Sequence, residues 1–306
     1  MNVVNIDPYN INKLPDFINY RIAKWDEIIT NQNKNTFNSK IIIITLANTK
    51  ISLEGESYKT TSWDIMKQKS ELFDEIFISH AIVAKVNGIL WDLNRPLETD
   101  TTLEIYTFNN IEAQQVFWHS SAHVLGQAIE YYYKDARLCT GPSLKEGSGF
   151  YYDVYLDSNQ RVHPLKDFKE LEKIMNQIIG SKNQHNQNKK KDQKEIHSSF
   201  LRLELTKEEA LDMFQDNKFK IEVIQSKILD GKTCTAYRCG SFIDLCKGPH
   251  LPQTGMIKAV SLLNASSSYW LGKPENESLQ RIYGISFPDK KKLKEYWLRQ
   301  KREIID

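Results

Sequence analysis

The rhythm of apolar and polar positions changes several times along the chain, and each change marks a predicted element. Residues 1–40 are polar and Asn-rich, broken by Pro8 and Pro15, with no sustained period. They predict an irregular extension in which Arg21–Thr30 could form one short helix. From Ile41 the pattern tightens. IIIITL reads as a strand, Asn48-Thr49 as a turn and KISLEGE as a second strand. Thr61 is placed to cap a helix whose first turn carries Asp64, where the helix dipole favours an acid. AIVAKVNGILWDL follows, with Asn87-Gly88 between two apolar runs. Both turn positions of such a hairpin favour positive φ. Arg95-Pro96 ends the hairpin, and TTLEIYTF supplies a last strand. Two strands, a helix, a hairpin and a final strand over residues 41–108 is the order of a β-grasp fold.

From Ile111 to Tyr133 the spacing becomes helical, with Val116, Ala122, Leu125, Ala128, Ile129 and Tyr132 recurring at three and four residues. GPSLKEGSGFYYDVYLD reads as loop, turn and strand, and Leu165–Ile179 as an amphipathic helix. Residues 180–198 are low-complexity and Lys/Asn-rich; they predict a disordered surface insertion, with a weak RNA-backbone contact as the alternative. Thr206 caps a helix running to Asp216, KIEVIQSKI predicts a strand, and Asp230-Gly231 a turn. CTAYRCGSFIDLCKGPHLPQTG reads as strand followed by loop, and residues 289–306 as a basic helix. The expected fold class is therefore α+β: a small β-grasp unit over 41–108, then an α+β unit over 109–288.

Composition narrows the class further. Lys+Arg total 41 and Asp+Glu 39, so a net charge of +2 announces no strongly basic nucleic-acid binder, although local basic patches remain open. No apolar run approaches the roughly 18–20 residues that a membrane helix needs, and no secretory signal opens the chain. Four cysteines in a chain of 306 residues make no disulfide framework, and a reducing cytosol is the simpler reading.

Two spaced pairs carry candidate chemistry. His119 and His123 form H-x-x-x-H on the predicted helix, and a four-residue step puts both imidazoles on one face. Cys246 and His250 form C-x-x-x-H in a Gly-Pro loop. Together they offer a tetrahedral Zn²⁺ set, or a metal-free catalytic cluster, or ordinary structural histidines. H-E-x-x-H is absent, which disfavours a zincin protease. His80, His163, His185 and His197 have no such partners in the sequence. Lys220 reads as a solvated lysine at a strand start, Asp244 as a capping or ion-paired acid, and Tyr152 as a strand tyrosine.

The blocks HSSAHVLGQAIE, GPSLKEGSGFYYD, DLCKGPH and SSSYWLG…LQRIYGISFP resemble the editing domain of the threonyl-tRNA synthetase family. IIIITLANTK…AIVAKVNGILWDLNRP resembles that family's TGS domain, a β-grasp. The resemblance covers about residues 41–300 and is nearest to the eukaryotic cytosolic forms, so a cytoplasmic protein is expected. It implies a TGS domain at 41–108, a threonyl/alanyl-tRNA synthetase editing domain at 109–288 and a linker helix at 289–306. The family continues into class II catalytic and anticodon-binding domains with no counterpart here, so threonine activation is not expected of this chain alone.

The implied activity is hydrolysis of the ester in mischarged Ser-tRNA(Thr). A synthetic pocket built for threonine rejects serine by only about 1–3 kcal/mol, so a second, hydrolytic site is needed. The resemblance implies His119, Lys220 and His123 as catalytic residues, with His119 positioning the water. It implies Tyr152, Asp244, Cys246 and His250 as substrate-binding residues, Asp244 receiving the seryl amine. No cofactor is expected for editing; Zn²⁺ on His119, His123, Cys246 and His250, as in the alanyl enzymes, is the alternative. The expected partners are the tRNA(Thr) 3′ end carrying serine and the synthetase catalytic domain, with no membrane, and a monomer is expected. Lys290, Lys291, Lys292, Lys294, Arg299, Lys301 and Arg302 are candidate phosphate contacts. A non-catalytic tRNA-binding module is the competing reading.

Overall fold

The computed structural model describes residues 14–32, 38–133, 135–144, 149–157, 160–180 and 199–303. The expected insertion at 180–198 lies almost wholly outside the described residues.

The β-grasp unit is built by local signals. Strand β1 (Ile41–Leu46) pairs antiparallel with β2 (Ser52–Glu56). Helix α2 (Ser62–Gln68) starts in a reciprocal capping box: the Thr61 side chain accepts from the Asp64 N–H, and the Asp64 carboxylate accepts from the Thr61 N–H. A short α3 (Glu75–His80) leads into β3 (Ala81–Val86), which turns through Asn87 (φ 50) and Gly88 (φ 84) into β4 (Ile89–Trp91). Strand β5 (Thr101–Thr107) inserts between β1 and β3, parallel to β1, giving the order β2-β1-β5-β3-β4. Ile44, Ile65, Met66, Leu93, Leu97 and Leu103 fill its core.

The second unit is organised around α4 (Ile111–Tyr132), which is buried on nearly every side. Such a helix forms the centre of a core rather than its edge. Strands β6 (Arg137–Leu138) and β7 (Phe150–Tyr155) follow, then α5 (Pro164–Ile179) and β8 (Leu201–Thr206). Thr206 caps α6 (Lys207–Met213) in a second capping box with Glu209, and α7 (Lys218–Lys227) follows. The hairpin β9 (Thr233–Cys239) and β10 (Phe242–Leu245) completes a three-stranded sheet, β10-β9-β8. The long strands β11 (Ala259–Tyr269) and β12 (Ser278–Phe287) join β7 and β6 in a four-stranded sheet. Helix α8 (Lys290–Glu303) leans on the core through Leu293 and Tyr296. Ile82 and Val83 of β3 belong to this second core, so the two units share an apolar seam.

One expectation is corrected and one extended. Residues 218–227 are a helix, not a strand. The β-branched Ile221, Val223 and Ile224 suit either state, but the Asn217 side chain accepts from the N–H groups of Phe219 and Lys220 and opens a helix. The short helix expected at Arg21–Thr30 is present and longer: Asp16–Gln32 forms a 17-residue helix, α1. Ile18, Ile22, Trp25 and Ile28 line one face and enter the second core. Arg21 crosses to that unit, donating to Glu130 at 2.9 Å and to Asp216 at 3.1 and 2.7 Å. Burial pushes the Glu130 carboxyl up to about 7, against the pull of Arg21.

This bridge sets a stability prediction. Truncating one member of a buried ion pair leaves an uncompensated charge and costs about 3–5 kcal/mol. Arg21→Ala should lower the urea midpoint by that equivalent, with Arg21→Lys recovering only part; an unchanged midpoint would show that α1 is not an integral element.

Candidate active site

Helix α4 carries His119 and His123 on one face, and the loop after β10 brings Cys246 and His250 to meet them. A cavity of about 470 Å³ opens there, lined by His119, His123, Lys220, Asp244 and Cys246 together with Tyr151, Thr140 and Gly141. Five of the seven residues expected at the site thus face one space. The other two stand behind it. His250 is buried against the sulfur of Cys246, and Tyr152 lies beneath Asp244.

The floor is a buried ion pair. Lys220 Nζ lies 2.5 Å from Asp244 Oδ1, and the Tyr152 hydroxyl donates to Asp244 Oδ2 at 2.5 Å. Lys220 and Asp244 are only 5% and 4% exposed, so the lysine is not the solvated one read from the sequence. Burial alone pushes the Asp244 carboxyl up; the Lys220 ammonium, His123 and the hydrogen bonds from Lys220 and Tyr152 outweigh it and hold the group below its usual range. Tyr152 is not a cavity aromatic as expected. Alternation along β7 turns it into the core and leaves Tyr151 at the cavity. Its ring is wedged so closely that a Cβ at Gly126 or Gly141 would come within 2.7 or 2.3 Å of it.

The wall is an imidazole–thiol cluster. His119 Nδ1 faces the Gly141 carbonyl at 3.0 Å, and a carbonyl only accepts, so Nδ1 carries the proton. His119 Nε2 then points its lone pair at Cys246 Sγ, 3.0 Å away. Ser120 Oγ donates to the Val116 carbonyl at 2.8 Å and accepts from the Leu251 N–H at 3.0 Å. By elimination His250 Nδ1 donates to Ser120 Oγ at 3.0 Å, and His250 Nε2 also faces Cys246 Sγ, at 3.2 Å. Two imidazole lone pairs therefore converge on one thiol with a single proton. His123 Nδ1 is buried with no hydrogen-bond partner.

All four donor atoms of His119, His123, Cys246 and His250 lie within 4.8 Å of one another. Burial pushes all three imidazoles down, His123 to about 3, and pushes the Cys246 thiol up to about 12. The cluster is neutral at pH 7 and can accept a proton or bind a cation. The donor set and the hydrogen-bonded outer nitrogens of His119 and His250 fit Zn²⁺, although four protein ligands would close the shell to water.

Sequence reasoning missed Tyr151, Ser120 and Asp92. Tyr151 stood beside the chosen tyrosine and is separable from it only by strand alternation. Asp92 comes from the β-grasp unit, where no local signal ties it to the site.

The buried imidazoles fix a pH dependence. An imidazole with a lowered folded pKa binds fewer protons folded than unfolded, so stability is full above about 6.5 and falls as pH drops below it. For His123 at about 3, this linkage removes about 2 kcal/mol between pH 7 and pH 5. His119 and His250 act in the same direction. Urea denaturation at the two pH values should show the loss, reduced in His123→Asn. Equal stability at pH 5 and pH 7 would contradict neutral burial.

Two family models and several known proteins match this chain. The TGS domain family matches residues 76–107, and the threonyl and alanyl tRNA synthetase second additional domain matches residues 234–283. The mouse (Mus musculus) threonine–tRNA ligase 2, cytoplasmic, is 43% identical over 292 residues, covering 93% of this chain and 33% of the relative. The Caenorhabditis elegans threonine–tRNA ligase, cytoplasmic, is 44% identical over 291 residues, covering 94% and 37%. The human (Homo sapiens) threonine–tRNA ligase 1, cytoplasmic, is 42% identical over 293 residues, covering 94% and 37%. The chain spans about a third of the length of these relatives. It is a TGS β-grasp domain joined to the threonyl/alanyl editing domain, and it resembles the amino-terminal part of the cytoplasmic threonine–tRNA ligases.

Proposed function

We propose that this chain hydrolyses the ester of Ser-tRNA(Thr), as the editing part of a cytoplasmic threonine–tRNA ligase. The observation that carries this reading is the convergence of His119, His123, Lys220, Asp244 and Cys246 on one cavity. The editing-domain match supports aminoacyl-tRNA hydrolysis as the reaction class and tRNA as the partner. The cytoplasmic setting follows the relatives' names; among the described residues no helix is long and apolar enough to cross a membrane.

In this reading the terminal adenosine enters with its seryl group towards the floor. The seryl ammonium meets the Asp244 carboxylate, which keeps unused lone pairs beside Lys220 and Tyr152. The Lys220 ammonium polarises the ester carbonyl and offsets negative charge as the tetrahedral intermediate forms. With the Cys246 thiol proton turned to His250 Nε2, His119, uncharged and bearing its proton on Nδ1, offers Nε2 to a water that attacks the carbonyl carbon. The proton passes to the ribose oxygen as that oxygen leaves, releasing serine and intact tRNA. His123 and His250 pack against His119, at ring-centroid distances of 4.9 and 4.7 Å, and hold its orientation. The synthetase catalytic domain is the expected partner on the same tRNA, and the chain alone is expected to be monomeric.

A second reading rests on the two lone pairs that share one thiol proton. Zn²⁺ held by His119, His123, Cys246 and His250 would satisfy both and displace the proton. Held by all four it would be a closed, structural ion; only if one of the four stood off would a position stay free, through which it could supply Lewis-acid chemistry to the site.

Single-turnover deacylation separates these readings. The chain should release serine from Ser-tRNA(Thr) much faster than threonine from Thr-tRNA(Thr). His119→Ala should slow release by about 10²–10⁴-fold, the usual worth of a positioned acid–base group. Rates unchanged by a chelator fit the metal-free reading, and rates abolished by it fit Zn²⁺. No release from intact Ser-tRNA(Thr) would refute the hydrolase and leave a tRNA-binding module.

A further inference from the structure

One carboxylate reaches the cluster from outside the editing domain. Asp92 lies just beyond β4 of the TGS domain, in the segment that follows the hairpin. Its own backbone is fixed there. The Asp92 carbonyl accepts from the Arg95 N–H at 3.1 Å, the Leu93 carbonyl accepts from the Trp63 N–H at 3.1 Å, and Leu93 is fully buried in the TGS core. The side chain points out of that core, into the editing domain.

Both carboxylate oxygens are committed to the Cys246–His250 loop and its support. Asp92 Oδ1 accepts from the His250 backbone N–H at 2.8 Å. Asp92 Oδ2 accepts from the Tyr237 hydroxyl at 2.7 Å. Tyr237 in turn underlies the loop. Its ring lies 4.5 Å from the His250 ring, and a Cβ at Gly248, which has φ +68, would come within 2.1 Å of its hydroxyl oxygen. The loop's other ties come from its own domain: the Cys246 N–H to the Thr235 carbonyl at 3.0 Å, and the Leu251 N–H to Ser120 Oγ at 3.0 Å. His250 is thus clamped between Ser120 on α4 and Asp92 of the TGS domain.

We propose that Asp92 is a positioning residue of the hydrolytic site, so that the TGS domain is a working part of editing and not only an appendage for tRNA. Its two hydrogen bonds fix the height of the Cys246–His250 loop, and through it the point at which His250 Nε2 and Cys246 Sγ meet His119. This rests on the hydrolase reading above for its consequence in rate, and on geometry alone for its consequence in structure. Removing the carboxylate leaves two donors, the His250 N–H and the Tyr237 hydroxyl, buried without partners; the loop can satisfy them only by moving towards water. Asp92 is not among the residues lining the cavity, so its effect passes through the loop, whose Cys246, Lys247 and Gly248 do line it.

The test uses the full 306-residue chain and the variants Asp92→Ala, Asp92→Asn and Tyr237→Phe. Asp92→Ala should lower the maximal single-turnover rate constant on Ser-tRNA(Thr), read at saturating protein, more than tenfold. Asp92→Asn keeps an acceptor for the His250 N–H and should recover activity to within about threefold, a rescue that loss of TGS packing would not show. Tyr237→Phe, which keeps the His250 bond, should fall between them. The second readout needs no activity: the imidazole NMR signals of His250 and His119 should shift in Asp92→Ala and return in Asp92→Asn, with exposed His80 as the unmoved control. A wild-type maximal rate in Asp92→Ala would overturn the proposal, as would unmoved His250 signals, or an Asp92→Asn variant as impaired as Asp92→Ala. If the wild-type chain releases no serine, the hydrolase reading fails while the NMR comparison still decides whether Asp92 sets the loop.

Discussion

A lysine and an aspartate are buried side by side beneath the cavity, and the local architecture is arranged around keeping them paired. Lys220 and Asp244 lie at 2.5 Å with almost no exposure. Either charge alone in that place would be costly by several kcal/mol, so each requires the other and a supporting hydrogen bond. Tyr152 supplies that bond, and its ring needs the space that two glycines, Gly126 on α4 and Gly141 in the loop after β6, leave open. Helix α7, strand β10, strand β7 and helix α4 are therefore held in one relation. The cavity inherits a floor with a fixed cation and anion beneath a wall of uncharged imidazoles. That contrast is what an ester hydrolase needs: a dipolar floor for the amine and the developing oxyanion, and a neutral base for water.

Segments outside the editing domain complete it. Helix α1 closes the back of α4 through Arg21, Glu130 and Asp216, burying an apolar stripe that the domain would otherwise expose. The TGS domain contributes Ile82 and Val83 to the shared core and sends Asp92 to the Cys246–His250 loop. Neither Arg21 nor Asp92 is among the residues lining the cavity, so both act on the site through the elements they hold.

Much of this was legible in the sequence, and the boundary is physical. The β-grasp order could be read because its signals are local: the Thr61–Asp64 capping box and the Asn87-Gly88 turn act within a few residues. The two spaced pairs were legible because a helical step and a Gly-Pro loop each point side chains one way. Part of what was missed depended on distant partners. The buried face of α1 includes a charged residue, Arg21, which finds Glu130 and Asp216 at separations of 109 and 195 residues. The segment after Asn217 has β-branched residues that suit a strand, and only the cap decides for a helix. The choice between Tyr151 and Tyr152 turned on which face of β7 looks into the cavity, which periodicity alone does not assign. The burial of Lys220 follows from Asp244, which lies beyond a whole hairpin strand.

The central claim is that the seryl ester sits between the Lys220–Asp244 floor and the His119 wall. A crystal structure of the chain with an amide-linked, non-hydrolysable analogue of 3′-seryladenosine tests it most directly. The predicted complex has the seryl ammonium within hydrogen-bond distance of Asp244, and a water held between His119 Nε2 and the carbonyl carbon. An analogue bound elsewhere, or bound with its seryl group turned out of the cavity, would contradict it.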